Sequence, residues 1–243
     1  MLFPPRAAPR HLPAVTRWDI VLLLALFIAL ALLLGSQKDR LADLFGRELS
    51  QDGLLPLLLF QSLVPLLLVH LLIVTRRRIA WADLGFAPAD RAWYRLAIAG
   101  GLACVPLMAL SRLAFESLLE SPFENPQVDI LSAGGFGWGR LIAMIGLVGV
   151  LVPLTEEVLF RGLLFPLLRR RFSFLPAALV SAVCFSLLHF IPPLIPAFIL
   201  MGLILAAARE YSGSLWPPII IHGLFNSLNL IALFAALAMG QAG

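Results

Sequence analysis

The run Leu141-Ile142-Ala143-Met144-Ile145-Gly146-Leu147-Val148-Gly149-Val150-Leu151-Val152 leads into Glu156-Glu157-Val158-Leu159-Phe160-Arg161, and Leu163-Leu164-Phe165-Pro166-Leu167-Leu168 follows. An apolar stretch of this length reads as a membrane-spanning helix. Two adjacent carboxylates and an arginine near its middle are unfavourable, at roughly 3 kcal/mol each on insertion scales. Such groups need partners inside the protein, and they mark a functional site by default. Helix geometry divides them. Glu157 and Arg161 lie four apart on one face and can pair. Glu156 points about 100° away and is free to face something else. The bland alternative is one buried salt-bridge cluster that only fixes helix packing.

The rest of the composition agrees with a membrane setting. The chain has 243 residues, of which 60% are hydrophobic and 13% charged. Its mean hydropathy is +0.95. Soluble domains carry about 25% charged residues. The net charge of +4 comes from arginines at loop positions and does not point to nucleic acid. The two cysteines, Cys104 and Cys184, sit in apolar runs and read as buried packing residues. No Gly-rich phosphate loop occurs.

Working outward, an all-α polytopic bundle of about seven spans is expected. An N-terminal part, residues 1–140, holds spans at about 20–35, 54–75 and 94–118 with their connectors. A core, residues 141–243, holds spans at about 141–168, 175–190, 194–208 and 215–239. Residues 1 to about 36 also have the features of a secretory signal: a basic start, an apolar run and Gly35-Ser36. They are read as a first span because the remaining chain is membrane-embedded throughout. Residues 36–53 read as a loop or short surface helix, and 121–140 as a long loop partly in the interface. The arginines of the N-terminal segment, the 76–95 connector, Arg169-Arg170-Arg171 and Arg209 place those segments and the N-terminus in the cytoplasm. No internal repeat of the kind found in transporters is evident.

Further polar groups lie in the apolar C-terminal half. Phe185-Ser186-Leu187-Leu188-His189 places a histidine near the end of span five, with Phe185 four residues before it. His222-Gly223-Leu224-Phe225-Asn226 puts a histidine and an asparagine on one face of span seven. An asparagine amide has four hydrogen-bonding sites to satisfy in hydrocarbon. A lone membrane histidine is more often a packing residue. A Glu pair, two histidines and an asparagine on three helices have the parts of a hydrolytic site. A carboxylate can take a proton from water. A histidine can hold that water or shuttle the proton. A second histidine and an amide can donate to an oxyanion. His189, His222 and Glu156 would also serve as three zinc ligands. The His-Glu-x-x-His pattern is absent, so zinc or no metal at all both stay open.

Taken in order, Glu156-Glu157-x-x-x-Arg161, Phe185-x-x-x-His189 and His222-x-x-x-Asn226 resemble the signature motifs of the CAAX prenyl protease and bacteriocin-processing family (CPBP, or Abi, intramembrane proteases). The resemblance runs from about Leu141 to Leu230. It implies an intramembrane endopeptidase, either metallo- or glutamate-dependent. Glu156 would activate water with help from His189. His222 and Asn226 would form the oxyanion hole, and Glu157, Arg161 and Phe185 would support the site. The substrate would be a membrane protein or lipidated peptide. A short, arginine-rich, loop-poor chain of this kind is expected in a bacterial plasma membrane. The competing functions are a proton-coupled transporter, with the acids and histidines as a relay, and a non-catalytic membrane scaffold. One geometric tension remains. Glu156 and His189 count about 20 Å from the cytoplasmic ends of their helices, and His222 only about 10 Å from the start of span seven.

Overall fold

The computed structural model describes residues 15–36, 54–119, 125–189 and 191–241. The expected 36–53 loop lies almost wholly outside them. Nine helices and no strand are described, so the bundle is all-α. They are α1 (Arg17–Ser36), α2 (Leu54–Val69, continued by the π stretch His70–Thr75), α3 (Trp81–Leu84), α4 (Arg91–Leu119) and α5 (Pro126–Ser132). After these come α6 (Trp138–Arg169), α7 (Phe174–Leu187), α8 (Ile195–Ser212) and α9 (Trp216–Gln241).

Seven of these stand at the seven expected positions. Five segments are long and apolar enough to cross a membrane: Leu55–Thr75, Arg91–Leu118, Trp138–Arg169, Pro192–Ser212 and Trp216–Gly240. The chain is thus an integral, multi-pass membrane protein. The fifth expected span differs. It stops at Leu187, and its 14 residues rise about 21 Å, short of a hydrocarbon core of about 30 Å. The chain turns at Leu188-His189 and re-enters through Pro192–Leu194, a 3₁₀ turn that leads into α8. Two prolines close this turn because neither can donate to a continuing helix. The region expected as a loop before α6 also differs. Asn125 caps α5 by accepting from the Gln127 N–H, and α6 starts at Trp138.

The helix α6 is not regular. It passes through α, π, α, π and α segments, with π stretches at Ile145–Leu151 and Val158–Leu164. Each π stretch is followed closely by a proline, Pro153 or Pro166, and each proline has a glycine four residues before it, Gly149 or Gly162. A proline ring crowds the carbonyl four residues back. Widening the turn to π register relieves that contact, and such turns recur at functional sites.

Lipid gives helices little hydrophobic reason to associate, so close packing has to hold them. α9 lies against both α4 and the first π stretch of α6. A Cβ on Gly223 would come within 2.6 Å of Gly149 O, so the α6 and α9 backbones approach as only small residues allow. Around the second π stretch, Val158 and Leu163 pack with Val15, Leu23, Ile73, Ile79, Leu84 and Leu215. α1, the end of α2, the 79–87 connector and the start of α9 therefore converge on the acidic segment.

One end of the bundle is tied by ions. Arg77 donates to Asp19 at 2.7 and 2.9 Å, and Thr16 donates to the same carboxylate. Burial pushes the Asp19 carboxyl up, but these hydrogen bonds outweigh it and hold the group below its usual range. Arg170 donates to Val15 O, and Arg169 grips Glu210 through two bonds of 2.9 and 3.1 Å. The start of α1 and the ends of α2, α6 and α8 therefore share one face of the membrane.

Candidate active site

Glu156 and Glu157 close the short α segment Val152–Glu157 between the two π stretches. Thr155, just before them, donates to Ser62 O of α2 at 3.1 Å, which pins this segment to the N-terminal helices. The two carboxylates diverge as the helical rotation requires. Glu157 is fully buried and accepts from Arg161 Nη1 at 2.9 Å. Arg161 is also fully buried and donates from Nη2 to Gly202 O of α8 at 3.0 Å. Its guanidinium carbon lies 4.7 Å from the Phe185 ring centroid and 5.7 Å from that of Phe160. A desolvated cation gains from such ring faces.

His222 reaches this cluster from α9. Its Nδ1 lies 3.1 Å from Glu157 Oε1, so the carboxylate accepts and Nδ1 carries the proton. The opposite nitrogen, Nε2, lies 3.7 Å from Glu156 Oε2. That separation is too long for a direct hydrogen bond. Glu156 Oε2 is buried and has no hydrogen-bond partner among the described residues, although the side chain as a whole is 22% exposed. One imidazole therefore touches the paired acid with one edge and faces the unpaired acid with the other.

Phe185 joins the remaining parts. It is 1% exposed. Its ring meets His222 at 5.7 Å, His189 at 4.8 Å and Phe160 at 5.3 Å. His189 lies in the turn after α7 rather than within a spanning helix. Its Nδ1 donates to Phe185 O at 2.9 Å, which leaves Nε2 as the outward atom, and its ring stacks on Phe198 at 4.2 Å. The imidazole facing Glu156 is that of His222. His189 is held one ring away, across Phe185.

Asn226 sits one helical turn beyond His222, and its Nδ2 donates to Val148 O at 3.0 Å. The reason lies in α6. Val152 N–H closes the first π stretch onto Leu147 O. The next carbonyl, Val148 O, would take its donor from Pro153, which has no N–H. Asn226 supplies one instead and keeps a second amide hydrogen for other use. The Gly149–Gly223 contact beside it brings the two helices close enough for this bond.

His189, His222 and Glu156 do not form a three-ligand metal set here. Among the described residues no group of three or more metal-ligating side chains is found.

The depths agree after all, because α9 starts deep. Arg209, near the end of α8, donates to Arg161 O at 3.2 Å. Leu215, just before α9, packs with Leu163 and would touch a Cβ on Gly162 at 3.4 Å, so α9 starts near the level of Arg161. His222, about 10 Å further along, then meets Glu156 and Glu157. Residues that the motifs alone do not pick out include Thr155, Arg209, Val148 and the two glycine–proline pairs of α6. Those pairs, spaced alike and flanking the acids, were the available signal.

The family model described as Rce1-like, type II CAAX prenyl endopeptidase, matches residues 138–228. The match begins at the first residue of α6 and ends just past Asn226. No curated protein and no solved structure matches the chain. The matched span holds the Glu156–Glu157–Arg161 segment, Phe185–His189 and His222–Asn226, and over these residues the chain is similar to the Rce1-like type II CAAX prenyl endopeptidases.

Proposed function

We propose that this protein is an intramembrane endopeptidase that hydrolyses a peptide bond of a membrane-associated protein or lipidated peptide. The supporting observation is the asymmetry of the acids. Glu157 is fully buried and engages Arg161 and His222 through Oε1, its Oε2 having no partner among the described residues; Glu156 is 22% exposed, and its Oε2, also without a partner, lies 3.7 Å from His222 Nε2. Opening this gap by a shift of either side chain would admit a water about 2.8 Å from each atom.

Glu156 takes a proton from this water, and the resulting hydroxide attacks the scissile carbonyl carbon. The carbonyl π electrons move to oxygen and form an oxyanion. The free amide hydrogen of Asn226 donates to it. His222 joins through Nε2 once that nitrogen carries a proton. Collapse of the intermediate breaks the C–N bond, and Glu156 returns its proton to the leaving amine. His189 packs against Phe185 on the side away from His222 and steadies that ring. Phe185 spaces the two imidazoles. The end of the bundle that carries Asp19, Arg77 and Arg169–Arg171 faces the cytoplasm, because arginines of short loops are retained there.

The test is cleavage of a lipidated peptide by purified protein in lipid nanodiscs, wild type against Glu156→Gln. Wild type should cut, and the variant should lose activity while keeping its thermal midpoint. Equal cleavage by both would remove Glu156 from the chemistry. A wild-type protein that cuts no lipidated or membrane peptide but shows Glu156-dependent proton flux would replace the protease reading with a transporter.

A further inference from the structure

The second π stretch of α6 carries a problem that the first solves with Asn226. Phe165 N–H closes this stretch onto Phe160 O, five residues back. The next carbonyl in the ladder is Arg161 O, and its donor position is occupied by Pro166. A carbonyl left open inside a bilayer is costly, because no water is there to donate to it. Arg209 fills the position with its Nε–H, at 3.2 Å, from a side chain only 5% exposed. The surroundings fit the guanidinium closely. Its Nη2 lies 3.5 Å from Leu84 O. The next residue, Gly85, has φ +117°, and a Cβ built there would stand 3.0 Å from that nitrogen.

We propose that Arg209 is a positioning residue for the acidic cluster. Its guanidinium replaces the N–H that Pro166 deletes, and so holds the turn from which Arg161 reaches Glu157. The chain of contacts is continuous: Arg209 Nε to Arg161 O, Arg161 Nη1 to Glu157 Oε1, and Glu157 Oε1 to His222 Nδ1. The inference deepens the reading of the site above and rests on it only for what the cluster is for. The hydrogen-bonding claim itself does not require that any peptide be cut.

A double-mutant cycle tests it. Arg209→Met removes the donor. Pro166→Ala restores a backbone N–H within the ladder. The full-length protein, labelled with ¹⁵N-histidine and held in nanodiscs, reports on His222 through its ring-nitrogen resonances, assigned by the signal lost in His222→Asn. Arg209→Met should displace the His222 signals and lower the thermal midpoint. It should leave the signals of His70, which stacks on Trp81, in place. Adding Pro166→Ala should return the His222 signals and most of the lost midpoint.

His222 signals unmoved by Arg209→Met would overturn the proposal. So would a loss of midpoint from Arg209→Met that is the same with and without Pro166→Ala. If Arg209→Met alone does not fold, folding of the double variant supports the proposal, and failure of both counts against it. A wild-type protein that cleaves nothing would sink the protease reading and leave the outcome of this cycle intact.

Discussion

Glu156 and Glu157 occupy adjacent positions of one helix, and their surroundings differ on every side. Glu157 faces Arg161, His222 and the packed interior, with no exposed surface. Glu156 faces His222 across 3.7 Å, is partly open, and has an oxygen with no partner among the described residues. On the proposed reading, that single helical step separates support from chemistry. The paired acid absorbs the cost of burying a cation and fixes the ring of His222. Its neighbour keeps a partly exposed carboxylate beside the other edge of that ring.

The sharpest way to break this contrast is Glu156→Gln. If Glu156 is the general base, cleavage should fall by about 10²–10⁴-fold with the midpoint unchanged. A peptide-release assay beside a thermal melt reads both. Next comes the other acid's partner. Arg161→Met strands a buried carboxylate, and removing one member of such a pair costs about 3–5 kcal/mol. Denaturation in detergent should show that loss, where Glu156→Gln shows little. If the two variants lose equal stability, the proposed division between the acids fails.

A smaller effect should follow from Gly223→Ala. The added methyl would meet Gly149 O at 2.6 Å, so α6 and α9 must part. Overpacking of this kind costs about 1–3 kcal/mol. Activity should fall further than stability, because His222 and Asn226 both ride on α9; the assay and the melt together decide this.

The smallest effect belongs to an ion pair at the end of the bundle. Asp19 has a lowered pKa in the folded protein. Its contribution is fully present above the ordinary carboxylate range and is lost as pH falls below about 4, through the lowered value. Asp19→Asn should remove on the order of 1 kcal/mol at neutral pH and flatten the acid limb of a pH–stability curve, leaving the membrane cluster untouched.

Much of this site was legible in the residues. Spacing alone paired Glu157 with Arg161, turned Glu156 aside and set His222 and Asn226 on one face. A regular helix was the wrong frame for the rest. Counting 3.6 residues per turn along α6 misses its π stretches, and with them the carbonyls of Val148 and Arg161 that Asn226 and Arg209 satisfy. Extending span five to residue 190 follows hydropathy past the point where the backbone turns, and so puts His189 on a helix it does not join. The depth of His222 depends on where α8 ends relative to α6. That is a tertiary fact, and no local pattern encodes it.

The brevity of α7 has a consequence for the surrounding lipid. A segment of 14 residues, followed at once by a proline-bound reversal, leaves the far leaflet without a matching wall beside His189. Acyl chains there must shorten or splay, at a cost of fractions of a kcal/mol per ångström of mismatch. A bilayer thinned in this way would bring the headgroup zone closer to the imidazole of His189.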